Sequence, residues 1–310
     1  MTIDDNPATA DPHTSAFDGL LGNDEGHWAF GTDFDDPLAG VDTTVAEEID
    51  HEALAIYCLM LGDDALVMSQ QLANWCAKAP DLEEDVALSN TALDLLGQAR
   101  LLLARAAAAD PTVVPVMPEG SPVPADDALA FFRHAGNFRN VRLVETDNGD
   151  FASTMARLLA FTVWRLAIFQ HLTVSKDGVL AAVAAKGVKE MTYHRDYAAR
   201  WVVTLAQGTQ ESRRRMVAGL DAHWPLVDEL FHADPVEAAL AESGAGVDPT
   251  VVRAEFDAVI QAVLTAAELS RPQVASVNGV GGRKGTHSEA LVPLLAELQS
   301  VAREHPMGLW

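Results

Sequence analysis

Leu82–Arg105 reads LEEDVALSNTALDLLGQARLLLAR, and the periodicity of this stretch decides the fold. Apolar residues return at nearly every helical turn. Leu88, Leu95 and Leu102 make one stripe, and Val86, Leu93, Leu96 and Leu103 make a second, the pattern of a helix buried on all sides. A third stripe is polar, with Asn90, Asp94 and Gln98 spaced by four. A carboxylate in the middle of a buried helix is costly unless something pairs with it. Asp94 is therefore the residue for which the rest of the chain must account.

Outward from this helix the chain continues in helical periods. Upstream, Thr44-Val-Ala-Glu47 has the form of a capping box, and it predicts a helix running through HEALAIYCLMLGDDALVMSQQLANWCAKA to Pro80. Downstream, Pro111 ends the central helix and a Pro-rich connection leads to a short helix, DDALAFFRHA, and an irregular segment, NFRNVRLVETDNGD. Residues 151–174, FASTMARLLAFTVWRLAIFQHLTV, are apolar nearly all round, hold no acid, and carry Arg157 and Arg165 on similar faces. A fourth long helix, GVLAAVAAKGVKEMTYHRDYAARWVVTLAQG, places Val183, Gly187, Glu190 and His194 on one face. Helical stretches follow at 210–231, 235–242 and 249–270, and after NGVGGRKGTH at about 288–303. Asp248-Pro249 and Thr286-x-x-Glu289 are the starts of the last two long ones. Alternating strand patterns are absent, so the chain reads as an all-α bundle.

Composition agrees. Of 310 residues, 49% are hydrophobic but only 6% aromatic, which favours helices over strands. The formal charge of −24 is unevenly placed, because no Lys or Arg precedes Lys78. Residues 1–43 hold acids and no base and are expected to form a disordered acidic tail, with one helical domain over 44–310. So acidic a surface excludes nucleic acid as a partner. Cys58 and Cys76 lie in helical patterns without metal spacing and read as reduced thiols. The N-terminus has no basic and apolar leader, so a soluble cytoplasmic protein without a membrane partner is expected.

In bundles of the ferritin type, two helices each give a Glu and the other two each give Glu-x-x-His, and together they hold two metal ions. The corresponding step here is Asp94-x-x-Gly97, which has a shortened acid and no imidazole. Asp24/His27, Glu48/His51 and Glu229/His232 match the spacing, but chance explains most of these matches, and none lies within a long helix of the bundle. The long helices offer Asp63 or Asp64, then Asp94, then nothing acidic, then Glu190 and His194 at i,i+4. That set is too small for a dinuclear centre, and it leaves a single metal near Glu190 and His194 open. No catalytic, cofactor-binding or metal residue is assigned. The preferred reading is an internal polar network of Asp64, Asp94, Lys189, Glu190 and His194. Lys189 is the favoured partner of Asp94, with Arg157 and Arg165 as alternatives. GVGGRKG follows no strand and lacks Walker spacing. It reads as an exposed basic loop, with contact to a phosphate or an acidic partner as the alternative.

LGDDALVMSQQLANWC, PDLEEDVALSNTALDLLGQARLLLARAA, FRNVRLVETDNGDFASTMAR, KGVKEMTYHRDYAARW, the GGRKGTH loop and the terminal Trp310 resemble the C-subunit family of phenylacetyl-CoA epoxidases. The similarity runs from about Ala53 to Trp310, while residues 1–44 and 111–124 depart from it. The resemblance implies a ferritin-like bundle with additional C-terminal helices. It implies membership of a multicomponent monooxygenase of aerobic phenylacetate degradation, which uses O2 and NADPH to epoxidise the ring of phenylacetyl-CoA. In that system the di-iron site belongs to a related A subunit. The C subunit is its non-catalytic sister, with no cofactor of its own. The system is completed by a small B subunit and by a reductase with FAD and an iron–sulfur cluster. An independent metal-binding ferritin-like oxidase and a helical adaptor of another pathway are the alternatives.

Overall fold

The computed structural model describes residue 38, residues 40–277 and residues 281–308. Four aspartates start its four long helices, each closing a first turn by accepting a backbone amide that has no partner inside the helix. Asp50 accepts from Ala53 at 3.0 Å to open α1 (His51–Ala73), and Asp81 from Glu84 at 3.0 Å to open α2 (Leu82–Ala109). After the short α3 (Ala125–Phe131), Asp150 accepts from Ser153 at 2.9 Å for α4 (Phe151–Leu172). Asp177 accepts from Leu180 at 2.9 Å for α5 (Gly178–Gln207).

Short connections make α1 with α2, and α4 with α5, two antiparallel hairpins. One long crossover, which includes α3, joins them into a ferritin-like four-helix bundle. Four further helices, α6 (Gln210–His223), α7 (Pro235–Ser243), α8 (Arg253–Ala266) and α9 (Leu291–Glu304), follow towards the C-terminus. Of these, α6 and α8 pack on α4, α7 on α1, and α9 on α3. No strand occurs among the described residues. The approach of α4 to α5 is close because Gly187 has no side chain. A Cβ there would lie 2.2 Å from the Phe169 ring. Helix α4 is long and apolar enough to cross a membrane by composition, and nearly all of it is buried by its neighbours.

Three expectations need correction. The helices buried on nearly every side are α1 and α4, not α2. On α2 the Leu88, Leu95 and Leu102 stripe is buried, but Leu82 and Leu93 are 74% and 64% exposed and Val86 and Leu96 each 36%. The reason is position: α1, α3 and α5 cover one side of α2, and nothing in the described chain covers the other.

Second, α1 begins at His51 rather than Thr44. The carbonyls of Thr43 and Thr44 accept from the buried Arg105 guanidinium, at 2.5 and 3.4 Å, and this holds the segment out of helix. Third, Thr286 and Glu289 form no box, and α9 starts at Leu291 after a turn tied down elsewhere. The acidic tail expected over 1–43 lies outside the described residues as far as residue 37.

Candidate functional site

Two adjacent aspartates in the middle of α1, Asp63 and Asp64, are completely buried. Buried carboxylates need donors, and three segments remote in sequence supply them. Asp63 accepts from the Arg139 amide at 2.8 Å and from Arg133, whose Nη1 is 3.0 Å away and whose Nη2 donates to the other oxygen. Asp64 accepts from the Val141 amide at 2.8 Å and from both terminal nitrogens of Arg283, at 3.0 and 2.9 Å. Arg283 also donates to the carbonyls of Met60 and Arg139, at 3.1 and 2.8 Å, and approaches Glu237 at 3.8 Å. Burial alone would pull its pKa down, but Asp64 and Glu237 outweigh it, so the guanidinium stays charged.

In the middle of the bundle stands a second guanidinium. Arg165 of α4 is fully buried, donates through Nε to Gln98 of α2 at 2.8 Å and through Nη1 to the Leu61 carbonyl at 3.2 Å. Its Nη2 has no partner among the described residues, and the plane lies over the Phe169 ring at 4.5 Å. Burial lowers its pKa to about 10, which leaves it protonated at neutral pH. Gln98 passes the contact on, donating to Glu190 of α5 at 2.8 Å, and Lys186 completes the chain at 3.0 Å from Glu190.

The third group lies at the seam of α2 and α5. His194 is buried, with Nε2 2.9 Å from Asp94 and Nδ1 3.1 Å from the Thr91 hydroxyl. Thr91 in turn donates to the Ala87 carbonyl at 2.9 Å.

The five residues expected to form one network are thus divided. Asp64 pairs with Arg283, Glu190 with Gln98 and Lys186, and Asp94 with His194. Lys189 is exposed and belongs to none of these groups. Asp94 is only half-buried, its side chain 40% exposed, so water shares the cost that a buried cation was expected to offset. The alternatives also fail as partners of Asp94: Arg165 faces Gln98, and Arg157 holds the turn at Thr146 and Asn148.

The loop read as exposed and basic is instead a strap folded into acids. Beyond Arg283, Lys284 lies 2.5 Å from Asp234, the Gly282 amide donates to Glu229 at 2.7 Å, and His287 lies 2.8 Å from the buried Glu145. Burial pulls His287 down, but Glu145 and the Phe138 carbonyl 3.0 Å from its other nitrogen more than compensate, and the net shift is upward. Sequence reasoning placed Arg283 only in an exposed basic loop, and it missed Arg133 and Glu145. The available signal was charge: two adjacent interior aspartates on α1 require two cations from somewhere.

As a donor set this interior does not fit a dinuclear metal centre. Arg165 and Arg283 stand among the carboxylates, and each carboxylate is already committed to nitrogen donors. No group of three or more His, Cys, Asp or Glu is close enough to hold a metal ion among the described residues. Comparison with known proteins gives the lineage of this interior. A sequence model of the family described as "Phenylacetic acid catabolic protein" matches residues 39–310. The chain belongs to that family. Within it, the C subunit of the 1,2-phenylacetyl-CoA epoxidase of Escherichia coli strain K12 is 42% identical over 257 residues, covering 83% of this chain and 99% of the relative. For a member of the phenylacetic acid catabolic family, the arginine-filled interior is a chemical departure from the metal-bearing bundles it resembles in fold.

Proposed function

We propose that the chain is a non-catalytic structural subunit of a cytoplasmic multicomponent phenylacetyl-CoA monooxygenase, supporting a catalytic A subunit during ring 1,2-epoxidation in aerobic phenylacetate degradation. The likeness to a known C subunit over nearly its whole length supports the pathway. The observation that carries the non-catalytic role is the pair of guanidiniums, Arg165 and Arg283, in the interior where related bundles gather metal ligands. A guanidinium is a fixed cation that neutralises carboxylates and cannot bind or activate O2. Di-iron then belongs to the A subunit, and FAD, an iron–sulfur cluster and NADPH to the reductase, with a small B subunit as a further partner.

The test is reconstitution. Purified alone, with reductase, NADPH and ferrous iron, the chain is expected to give no epoxide from phenylacetyl-CoA. Mixed with the A subunit it forms a stable heteromer that turns over. Turnover by the isolated chain would overturn the structural role, and failure to form any heteromer with the A subunit would overturn the subunit assignment.

A further inference from the structure

Glu145 and His287 meet inside the domain with one proton between them. Glu145 ends the 3-10 turn Arg142–Glu145 and is completely buried, and its carboxylate faces three nitrogens. Asn140 donates to Oε2 at 3.0 Å, the Ser288 amide donates to Oε1, and His287 Nδ1 stands 2.8 Å from Oε2. On the far side of the ring, Nε2 stands 3.0 Å from the Phe138 carbonyl. A carbonyl only accepts, so Nε2 carries a proton. A second proton must then lie between Oε2 and Nδ1, because two bare lone pairs 2.8 Å apart in a buried site repel. Whether it sits on the ring or on the carboxyl, the pair as a whole is neutral and both contacts of the ring are made.

This proton fastens one piece of chain. Residues 286–290 are a largely exposed turn between the arginine strap and α9. Apart from two long backbone bonds to the start of α9, their hydrogen bonds to the rest of the described chain all end on Glu145 or the Phe138 carbonyl. Both ends of the turn are fixed by other means. Upstream, Arg283 is committed to Asp64 and Lys284 to Asp234. Downstream, Gln299 of α9 donates to the Ala130 and Arg133 carbonyls at 3.0 and 3.1 Å. The charged groups that act on the ring are Glu145 from the crossover and Asp63 from α1, the latter paired with Arg133. Burial disfavours the charged ring, but Glu145, the Phe138 carbonyl and Asp63 outweigh it, and its pKa lies above the ordinary 6.5.

We propose that the proton between Glu145 and His287 is a latch, and that its loss as pH rises frees residues 286–290 from the crossover while the four-helix bundle stays folded. Deprotonation leaves Nδ1 bare against the carboxylate or, after a change of tautomer, Nε2 bare against the Phe138 carbonyl, so one contact is lost in either case. The proton goes to solvent, and the buried carboxylate is left without its cation, a costly state that ends when the turn swings out and water reaches Glu145. Because the folded pKa is raised, the latch is closed at low pH and opens as pH rises through the folded value. Opening is local, since the anchors of Arg283, Lys284 and Gln299 do not involve the pair.

Hydrogen exchange of the full chain tests this, read on the peptide spanning residues 286–291 from about pH 6 to pH 10 and corrected for the intrinsic rate. In the parent, protection of the Ser288 amide is constant at the acid end and then falls ~10-fold per pH unit, as the release of one proton requires. Peptides from α4 and α5 stay protected throughout. Nitrogen NMR of the His287 ring, titrated in parallel, shows its transition where that fall begins. In His287→Gln the dependence on pH disappears, with α4 still protected. Ser288 protection that stays constant in the parent, or that falls together with α4 and α5, overturns the latch. So does a His287→Gln variant that keeps the parental profile. Should that variant fail to fold, the parental exchange and the ring titration decide, and a ring transition at or below the ordinary 6.5 refutes the proposal.

Discussion

At the scale of single residues, the molecule stabilises interior carboxylates with arginine, and the consequence is measurable. Removing one member of a buried ion pair leaves an uncompensated group and costs about 3–5 kcal/mol, while removing both costs far less. Arg283→Met is therefore expected to cost about that much in a urea titration, and Asp64→Leu a similar amount. The double variant should cost much less than their sum. Additive losses would mean that the pair is not energetically coupled. Asp94 and Lys189 are expected to behave oppositely. Lys189 is exposed and Asp94 pairs with His194 at 2.9 Å, so Asp94→Leu and Lys189→Met should simply add. Asp94 was legible as an anomaly on a helix face, but its partner was not. Spacing along α5 puts Lys189 and His194 within two turns of each other, and only the rotation of α5 against α2 decides which one reaches across.

Helices and their joints give two further tests. Gly187→Ala places a methyl group 2.2 Å from the Phe169 ring and should cost about 1–3 kcal/mol by overpacking. Gly97→Ala meets nothing in this chain and should stabilise it by up to about 1 kcal/mol. Equal effects at the two sites in thermal melts would contradict the packing of α4 on α5. The start of the domain is equally specific. Truncation after residue 37 is expected to leave the melting midpoint unchanged. Truncation after residue 44 removes the Thr43 and Thr44 carbonyls from Arg105, which is left with Asp177 at 3.1 Å, and should lower it by several degrees. The capping box at Thr44 was a sound local pattern that lost to this tertiary contact. Asp50, only six residues on, could cap the helix just as well.

For the whole molecule, buried histidines shape the dependence of stability on pH. His223 is buried between Ser153 and Thr146, and burial together with Arg157 lowers its pKa from 6.5 to about 3. A lowered folded pKa means that its contribution is present above the unfolded value and is lost as pH falls from 6.5 towards 3. The loss is on the order of 4 kcal/mol. His287 has the opposite sign. Its raised pKa contributes stability at pH below the unfolded value, and that contribution is lost as pH rises through the folded one. A His223→Gln variant is accordingly expected to show a flatter loss of stability between pH 6.5 and 3 than its parent in urea titrations, and parallel profiles would refute this.

What the sequence determined by itself was the class of structure and its ancestry. Helical periods of apolar residues, aspartates before helices, and prolines after them are local statements, and local statements survive folding. The resemblance that family membership bears out was carried instead by specific motifs such as LGDDALVMSQQLANWC and KGVKEMTYHRDYAARW. Tertiary structure decided which helix is central and which cation meets which acid. Leu93 and Leu95 are equally apolar in the sequence, yet one is 64% exposed and the other wholly buried, because burial depends on neighbours that periodicity does not name. Asp64 meets an arginine 219 residues away for the same reason. An ion pair across that distance forms only when a strap, a crossover and a helix converge, and no spacing along the chain encodes that convergence.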